Sequence, residues 1–160
     1  MSASNADPLT VRRVHLGTDH AGYELKEHLK KVLAAEGYEP VDHGNTVFDK
    51  DDDYPSFCIE AAEAVRDDRG QLGVVIGGSG NGEQMAANLV NGIRCGLAWS
   101  VETARLTREH NDAQVLAIGA RMHSLEEATE IVLAFLRTAF SEDPRHERRI
   151  AQMTAYGHKR

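Results

Sequence analysis

The sequence predicts an α/β fold, a single-domain three-layer αβα sandwich around a five-stranded parallel sheet. Three observations predict it. Short apolar runs alternate with longer stretches of helical periodicity, joined by short loops. The run Leu72–Ile76 is apolar on both faces, as a strand covered by helices on each side requires. A length of 160 residues suits one domain with a substantial core.

Taken in order, residues 1–10 are small and polar and are expected to lack structure, leaving a single domain over 11–160. Val11–Gly17 reads as the first strand. From Ala21 the pattern becomes Leu25, Leu29, Val32, Leu33, which is helical, and Gly37 ends it as a C-cap would. A brief strand at 39–42 leads into an acidic loop, Asn45 to Asp53. Tyr54-Pro55 opens a helix with Phe57, Ala61, Ala64 and Val65 on one side. Leu72–Ile76 is the third strand and Glu83–Val90 the third helix. Arg94–Trp99 is the fourth strand, and Ser100 caps a helix to about His110. Gln114–Ile118 is the fifth strand. Ser124 with Glu127 makes a capping box for the next helix, and an arginine-rich helix follows Pro144.

Composition excludes several functions. Lys and Arg total 18 against 25 Asp and Glu, a formal net charge of −7. That argues against nucleic acid and membrane surfaces as partners, while local arginines still permit an anionic small molecule. Cys58 and Cys95 match no metal spacing and read as reduced, half-buried thiols of a cytoplasmic protein, with a disulfide left open. No segment is long and apolar enough to span a bilayer.

In such folds ligands sit beyond the carboxyl ends of the strands, which selects Asp19-His20, Gly77–Glu83, Trp99-Ser100 and Gly119–Arg121. The third strand ends in four glycines and a serine within six residues, followed at once by Glu83. The N–H groups of Gly78, Ser79, Gly80, Asn81 and Gly82 can form a concave anion site at a helix mouth. A carboxylate beside such a cradle is apparatus for moving a proton next to a carbonyl. The loop has Glu where a dinucleotide fingerprint needs its third glycine, and it lacks the Gly-Lys-Ser/Thr of a P-loop. A tight turn with a solvated Glu83 is the plainer reading. It leaves a carboxylate repelled beside an anion nest for no gain.

The other residues have ordinary readings too. Asp19 suffices as a helix N-cap. His20 at a helix N-terminus is disfavoured as a cation unless an anion compensates. His110 pairing with a helix dipole and Asn111 in a left-handed cap would be unexceptional. Arg121 follows a strand end, and Arg145 and Arg149 share a helix face in a spacing that suits bidentate capture of phosphate. Asp49, Asp51, Asp52 and Asp53 lack a calcium-loop pattern and read as a solvated loop. His15 and His43 read as packed.

Several motifs occur in order: Gly17-Thr18-Asp19-His20-Ala21-Gly22, Asp53-Tyr54-Pro55, Gly77 to Glu83, Ala87-Asn88, Gly92-Ile93-Arg94, His110-Asn111 and Arg145 to Arg149. With them the chain resembles the type B ribose-5-phosphate isomerases, among the sugar-phosphate isomerases that include the galactose-6-phosphate enzyme. The likeness spans about residues 11–156. It implies a Rossmann-like subunit that dimerises, with active sites shared between subunits and further pairing into tetramers left open. It implies interconversion of D-ribose 5-phosphate and D-ribulose 5-phosphate in the pentose phosphate pathway, without metal or cofactor. Many members carry a catalytic cysteine where this chain has Gly77, and here Glu83 resembles the base of the actinobacterial-type branch. By the same resemblance His110 opens the furanose ring, and Asp19 and Asn111 hold sugar hydroxyls. Ser79 and the loop amides hold the oxyanion, while His20, Arg121, Arg145 and Arg149 clamp the phosphate. The rival readings are a six-carbon sugar-phosphate isomerase and a non-catalytic sugar-phosphate sensor.

Overall fold

The computed structural model describes residues 7–157. Its five strands are β1 (Arg13–Thr18), β2 (Glu39–Asp42), β3 (Leu72–Gly77), β4 (Cys95–Leu97) and β5 (Val115–Gly119). Its helices are α1 (Tyr23–Ala35), α2 (Tyr54–Asp67), α3 (Asn81–Asn88), α4 (Val101–Glu109), α5 (Leu125–Leu136) and α6 (Pro144–Gly157), with a 3-10 turn at His20–Gly22 before α1. All strand pairs are parallel, in the order β2-β1-β3-β5-β4.

Alternation along the inner strands divides the core in two. Val74, Ile76, Leu116 and Ile118 point into one layer with Leu25, Leu29, Ile131, Val132 and Phe135 of α1 and α5. Val75, Val115 and Ala117 point into the other, against Cys58, Ala61, Ala62, Ala86 and Ala87 of α2 and α3. The second layer is built of small side chains, so its helices lie close to the sheet. A β-carbon on Gly17 of β1 would stand 2.5 Å from the Phe57 carbonyl oxygen of α2.

Several boundaries differ from the sequence-based expectation. β4 is three residues long because side chains take its end groups. The Arg94 N–H donates to Gln114 Oε1 (2.8 Å), and the Trp99 N–H donates to Thr103 Oγ1 (3.1 Å). α3 begins at Asn81, two residues before the expected Glu83, because Gly80 supplies a left-handed N-cap (φ 88°). Ser124 accepts from the Glu127 N–H, but the Glu127 carboxylate turns to His123 Nδ1 (3.7 Å) and does not close a box. The complete capping box belongs to Ser100 and Thr103. The left-handed residue after α4 is Asp112 (φ 45°), not Asn111. Cys58 and Cys95 are free and fully buried rather than half-buried. Within the segment expected to lack structure, residues 1–6 lie outside the described residues. Asp7–Thr10 form a turn, with the Thr10 N–H donating to the Asp7 carbonyl (2.8 Å).

Two buried cations tie loops to this frame. Lys26 of α1 is fully enclosed and donates to Asp42 Oδ2 and to the Asn45 carbonyl (both 2.7 Å). Arg108 of α4, also fully enclosed, donates to Asp112 Oδ1 (2.9 Å), the Ala113 carbonyl (2.7 Å) and the Thr138 carbonyl (3.3 Å). Removing one partner of such a pair strands the other without water. Arg108→Ala should therefore lower stability by about 3–5 kcal/mol, read as a fall in the urea midpoint with the slope preserved.

Candidate active site

The strand order reverses between β1 and β3, and the carboxyl ends of these neighbours open a crevice there. The cleft in that crevice has a volume of about 640 Å³ and lies between the 3-10 turn after β1, the β3–α3 loop and the turn after β5. Small-ligand sites run to roughly 300–1,000 Å³, so a phosphorylated sugar fits. Asp19, His20, Gly78, Ser79, Gly82, Glu83 and Arg121 all line it.

Glu83 is the third residue of α3, yet its side chain is only 5 % exposed. It folds back over the end of its own strand, so that a β-carbon built on Gly77 would fall directly on the carboxylate. The space a side chain at 77 would use is filled by the acid of residue 83. Burial holds the Glu83 carboxyl above its ordinary value, with the Asp19 charge adding to the effect and its own N–H opposing it. Asp19 is itself buried, its carboxylate accepting from the Ala21 N–H (2.9 Å) as the expected cap.

The first-turn N–H groups of α3 have no carbonyl beneath them and point to the cleft end of the helix. The Ser79 hydroxyl accepts from the Asn81 N–H and side-chain amide (3.3 and 3.2 Å). Gly80 is pressed between Leu97 and the β5 end, where a β-carbon would lie 2.7 Å from Leu97 Cδ1. The Arg121 N–H donates to the Gly78 carbonyl (3.1 Å), and its guanidinium hangs over Gly78. A cation, a helix mouth and a proton acceptor thus share one cleft.

Sequence reasoning misses one residue of the cleft wall and one that stands behind it. Tyr54, first residue of α2, places its hydroxyl against Gly82 and lines the cleft. Asp52, expected to be solvated, has a carboxylate only 7 % exposed that accepts from both the His20 N–H and His20 Nδ1 (each 2.8 Å). The anion that the helix-end histidine needed is therefore the protein's own. Asp19, His20 and Asp52 offer ligand atoms within 4.8 Å of one another, but the shortest contact among them is this hydrogen bond. His15 and His43 are packed as expected, with His15 Nδ1 2.8 Å from His43 Nε2 and His15 Nε2 2.9 Å from Asp68.

The remaining expected site residues lie elsewhere. α4 carries the chain from the carboxyl end of β4 back to the amino end of β5, roughly 14 Å at 1.5 Å per residue. His110 and Asn111 therefore lie at the opposite edge of the sheet from Glu83. The Asn111 carbonyl accepts from Arg94 Nε (2.8 Å), immediately before β4. His110 stacks against His146 of α6 at 4.3 Å, and Arg145 and Arg149 stand exposed on the same helix. The residues expected to form one site thus fall into two groups at opposite ends of the sheet.

The sequence profile of the ribose/galactose isomerases matches residues 14–153. The chain belongs to that family. It is 57% identical over 144 residues to ribose-5-phosphate isomerase B of Mycobacterium tuberculosis H37Rv, covering 90% of this chain and 89% of that one. The crystal structure of ribose-5-phosphate isomerase B from Mycoplasma genitalium with bound ribulose-5-phosphate superposes with a TM-score of 0.88 at 36% identity. It covers 92% of this chain and 97% of its own. Type B ribose 5-phosphate isomerase from Trypanosoma cruzi gives a TM-score of 0.87 at 37% identity, over 94% and 99% of the two chains.

Within this isomerase family fold, the seat of Glu83 depends on residue 77 having no side chain. Gly77→Ala should expel the carboxylate toward solvent. By carbon-detected NMR its titration should fall toward the ordinary glutamate value of about 4.3, while far-UV circular dichroism stays unchanged.

Proposed function

We propose that this chain interconverts D-ribose 5-phosphate and D-ribulose 5-phosphate through ring opening and an enediolate. The observation that carries this reading is the enclosed Glu83 carboxylate, held above its ordinary pKa beside the amides of a helix mouth. The named relatives, one of them solved with ribulose-5-phosphate, support the substrate.

In this mechanism Glu83 takes the proton from C2 of the open-chain aldose and returns it to C1. The hydroxyl proton meanwhile moves from O2 to O1, leaving the ketose. Raising the acceptor's pKa brings it nearer the working pH, which favours general-base transfer. Charge building on oxygen meets the loop amides of Gly78 to Gly82 and Ser79. Asp19 orients sugar hydroxyls, and His20 and Arg121 meet the phosphate.

The groups at the far edge complete the reading if a second copy delivers them. A two-fold dimer that sets His110, Asn111, Arg145 and Arg149 of one subunit against the cleft of the other makes two equal sites. The exposed apolar side chains of Met85 on α3, of Leu89 at its C-terminal end and of Trp99 supply a face for such a contact. The buried free thiols suit a reducing cytoplasm, and no helix among the described residues is long and apolar enough to cross a membrane.

Incubating the protein with ribose 5-phosphate in deuterated water should place deuterium at C2 of the aldose or C1 of the ketose. Glu83→Gln should abolish that exchange and lower kcat by at least ~100-fold, while near-normal turnover would remove Glu83 as the base. The acid limb of kcat should lie above the ordinary carboxylate range, because a raised pKa keeps Glu83 protonated to higher pH. For the shared site, Glu83→Gln and His110→Ala homodimers should each be inactive and regain about a quarter of full activity after subunit exchange. Each mixed dimer would carry one intact site. No recovery on exchange would place the whole site in one chain.

A further inference from the structure

Asp52 stands in the acidic loop between β2 and α2, and its neighbours Asp51 and Asp53 are exposed. Its own carboxylate is enclosed and fully engaged. Oδ1 accepts from the His20 backbone N–H and from His20 Nδ1, and Oδ2 accepts from the Asn45 side-chain amide (3.1 Å). A carboxylate only accepts, so the proton in the ring contact sits on Nδ1. With that atom committed, Nε2 is the ring's remaining polar atom, on a side chain that lines the cleft.

We infer that Asp52 is a positioning residue for His20, fixing its imidazole with Nδ1–H on the carboxylate and Nε2 as the donor offered to the anionic group of the substrate. The role rests on the reading of this cleft as a sugar-phosphate site. The charge follows from the surroundings. Asp52 holds His20 above its ordinary pKa, chiefly through the hydrogen bond, with Asp19 at 3.9 Å adding to it and partial burial opposing it. Across the cleft, Glu83 of α3 favours the same cation and Arg121 after β5 opposes it. A neutral imidazole with Nδ1–H would present a lone pair at Nε2 and repel a phosphate oxygen. The cation presents a second N–H and attracts it. The same contact anchors the loop to the strand end, so loop order and anion binding are tied to one side chain.

The test follows the His20 ring nitrogens by long-range proton–nitrogen NMR in the full chain, alongside KM and kcat for ribose 5-phosphate across the neutral pH range. In the unaltered protein His20 should carry Nδ1–H and titrate above the ordinary histidine value of about 6.5. Asp52→Asn keeps an oxygen for the backbone N–H but removes the charge. The His20 midpoint should then drop, KM should rise roughly tenfold at neutral pH, and the alkaline rise in KM should begin at lower pH, with the effect on KM rather than kcat. Asp52→Glu, which retains the charge, should restore part of both. A purely structural Asp52 would move stability but neither the tautomer nor the pH profile of KM.

The inference is overturned if unaltered His20 titrates at or below the ordinary value, an outcome that needs no variant to fold. An Asp52→Asn protein with unshifted midpoint and KM overturns it equally, as does a fallen midpoint with KM unmoved, since His20 then does not grip the substrate. If the unaltered protein gives no turnover, the functional reading fails, while the ring titration still decides what Asp52 does to His20.

Discussion

Two side chains cannot occupy the end of β3 together, and most of the candidate site follows from that constraint. The strand arrives sealed on both faces, with Val74, Val75 and Ile76 fully buried, so nothing polar can enter along it. At Gly77 the chain runs out of side chain just where the sheet meets the cleft. The vacated volume is taken by a carboxylate from the next helix. That seat strips the acid of water while keeping it within reach of the helix mouth, and the cost of enclosing it appears as a raised pKa. Gly77 and Glu83 are therefore coupled, since the bare backbone of one leaves the space that the side chain of the other fills.

The rest of the cleft supports that carboxylate from three loops, each fixed by a different contact. Asp19 is held as a cap, the glycine loop is pinned to β5 by hydrogen bonds from Ala120 and Arg121, and the acidic loop is anchored through Asp52 and Asn45. Lys26 reaches the same acidic loop from beneath, through Asp42 and the Asn45 carbonyl. Parallel topology also keeps the expected site residues apart. Every crossover helix begins at the cleft edge and ends at the far one, so residues at the two ends of α4 cannot meet within one chain.

Strands and helices were readable because burial imposes period. Strand β2 and the start of α2 fall at the expected residues, since Pro55 and the alternating pattern are local signals. The misplaced boundaries are those decided by side-chain partners and by backbone conformation, which the apolar pattern does not register. β4 is shortened by Gln114 and Thr103, and α3 starts early on a left-handed glycine. The acidic loop looked solvated because composition averages over neighbours. One aspartate of four turns inward, and only its distance to His20, thirty-two positions away, reveals it. Tyr54 was visible as part of a motif, but its role as a cleft wall depends on Gly82 lying beneath its hydroxyl.

By itself the sequence determined the αβα class, the glycine-rich turn and the acid that follows it. These follow from periodicity, from backbone freedom and from side-chain chemistry, all carried by short stretches of chain. Tertiary structure alone decided that Glu83 lies buried over Gly77, that Asp52 holds His20, and that His110, Asn111, Arg145 and Arg149 face the other end of the sheet. Those facts arise from which segments are brought together and which water is driven out, and neither is encoded in any window of neighbouring residues.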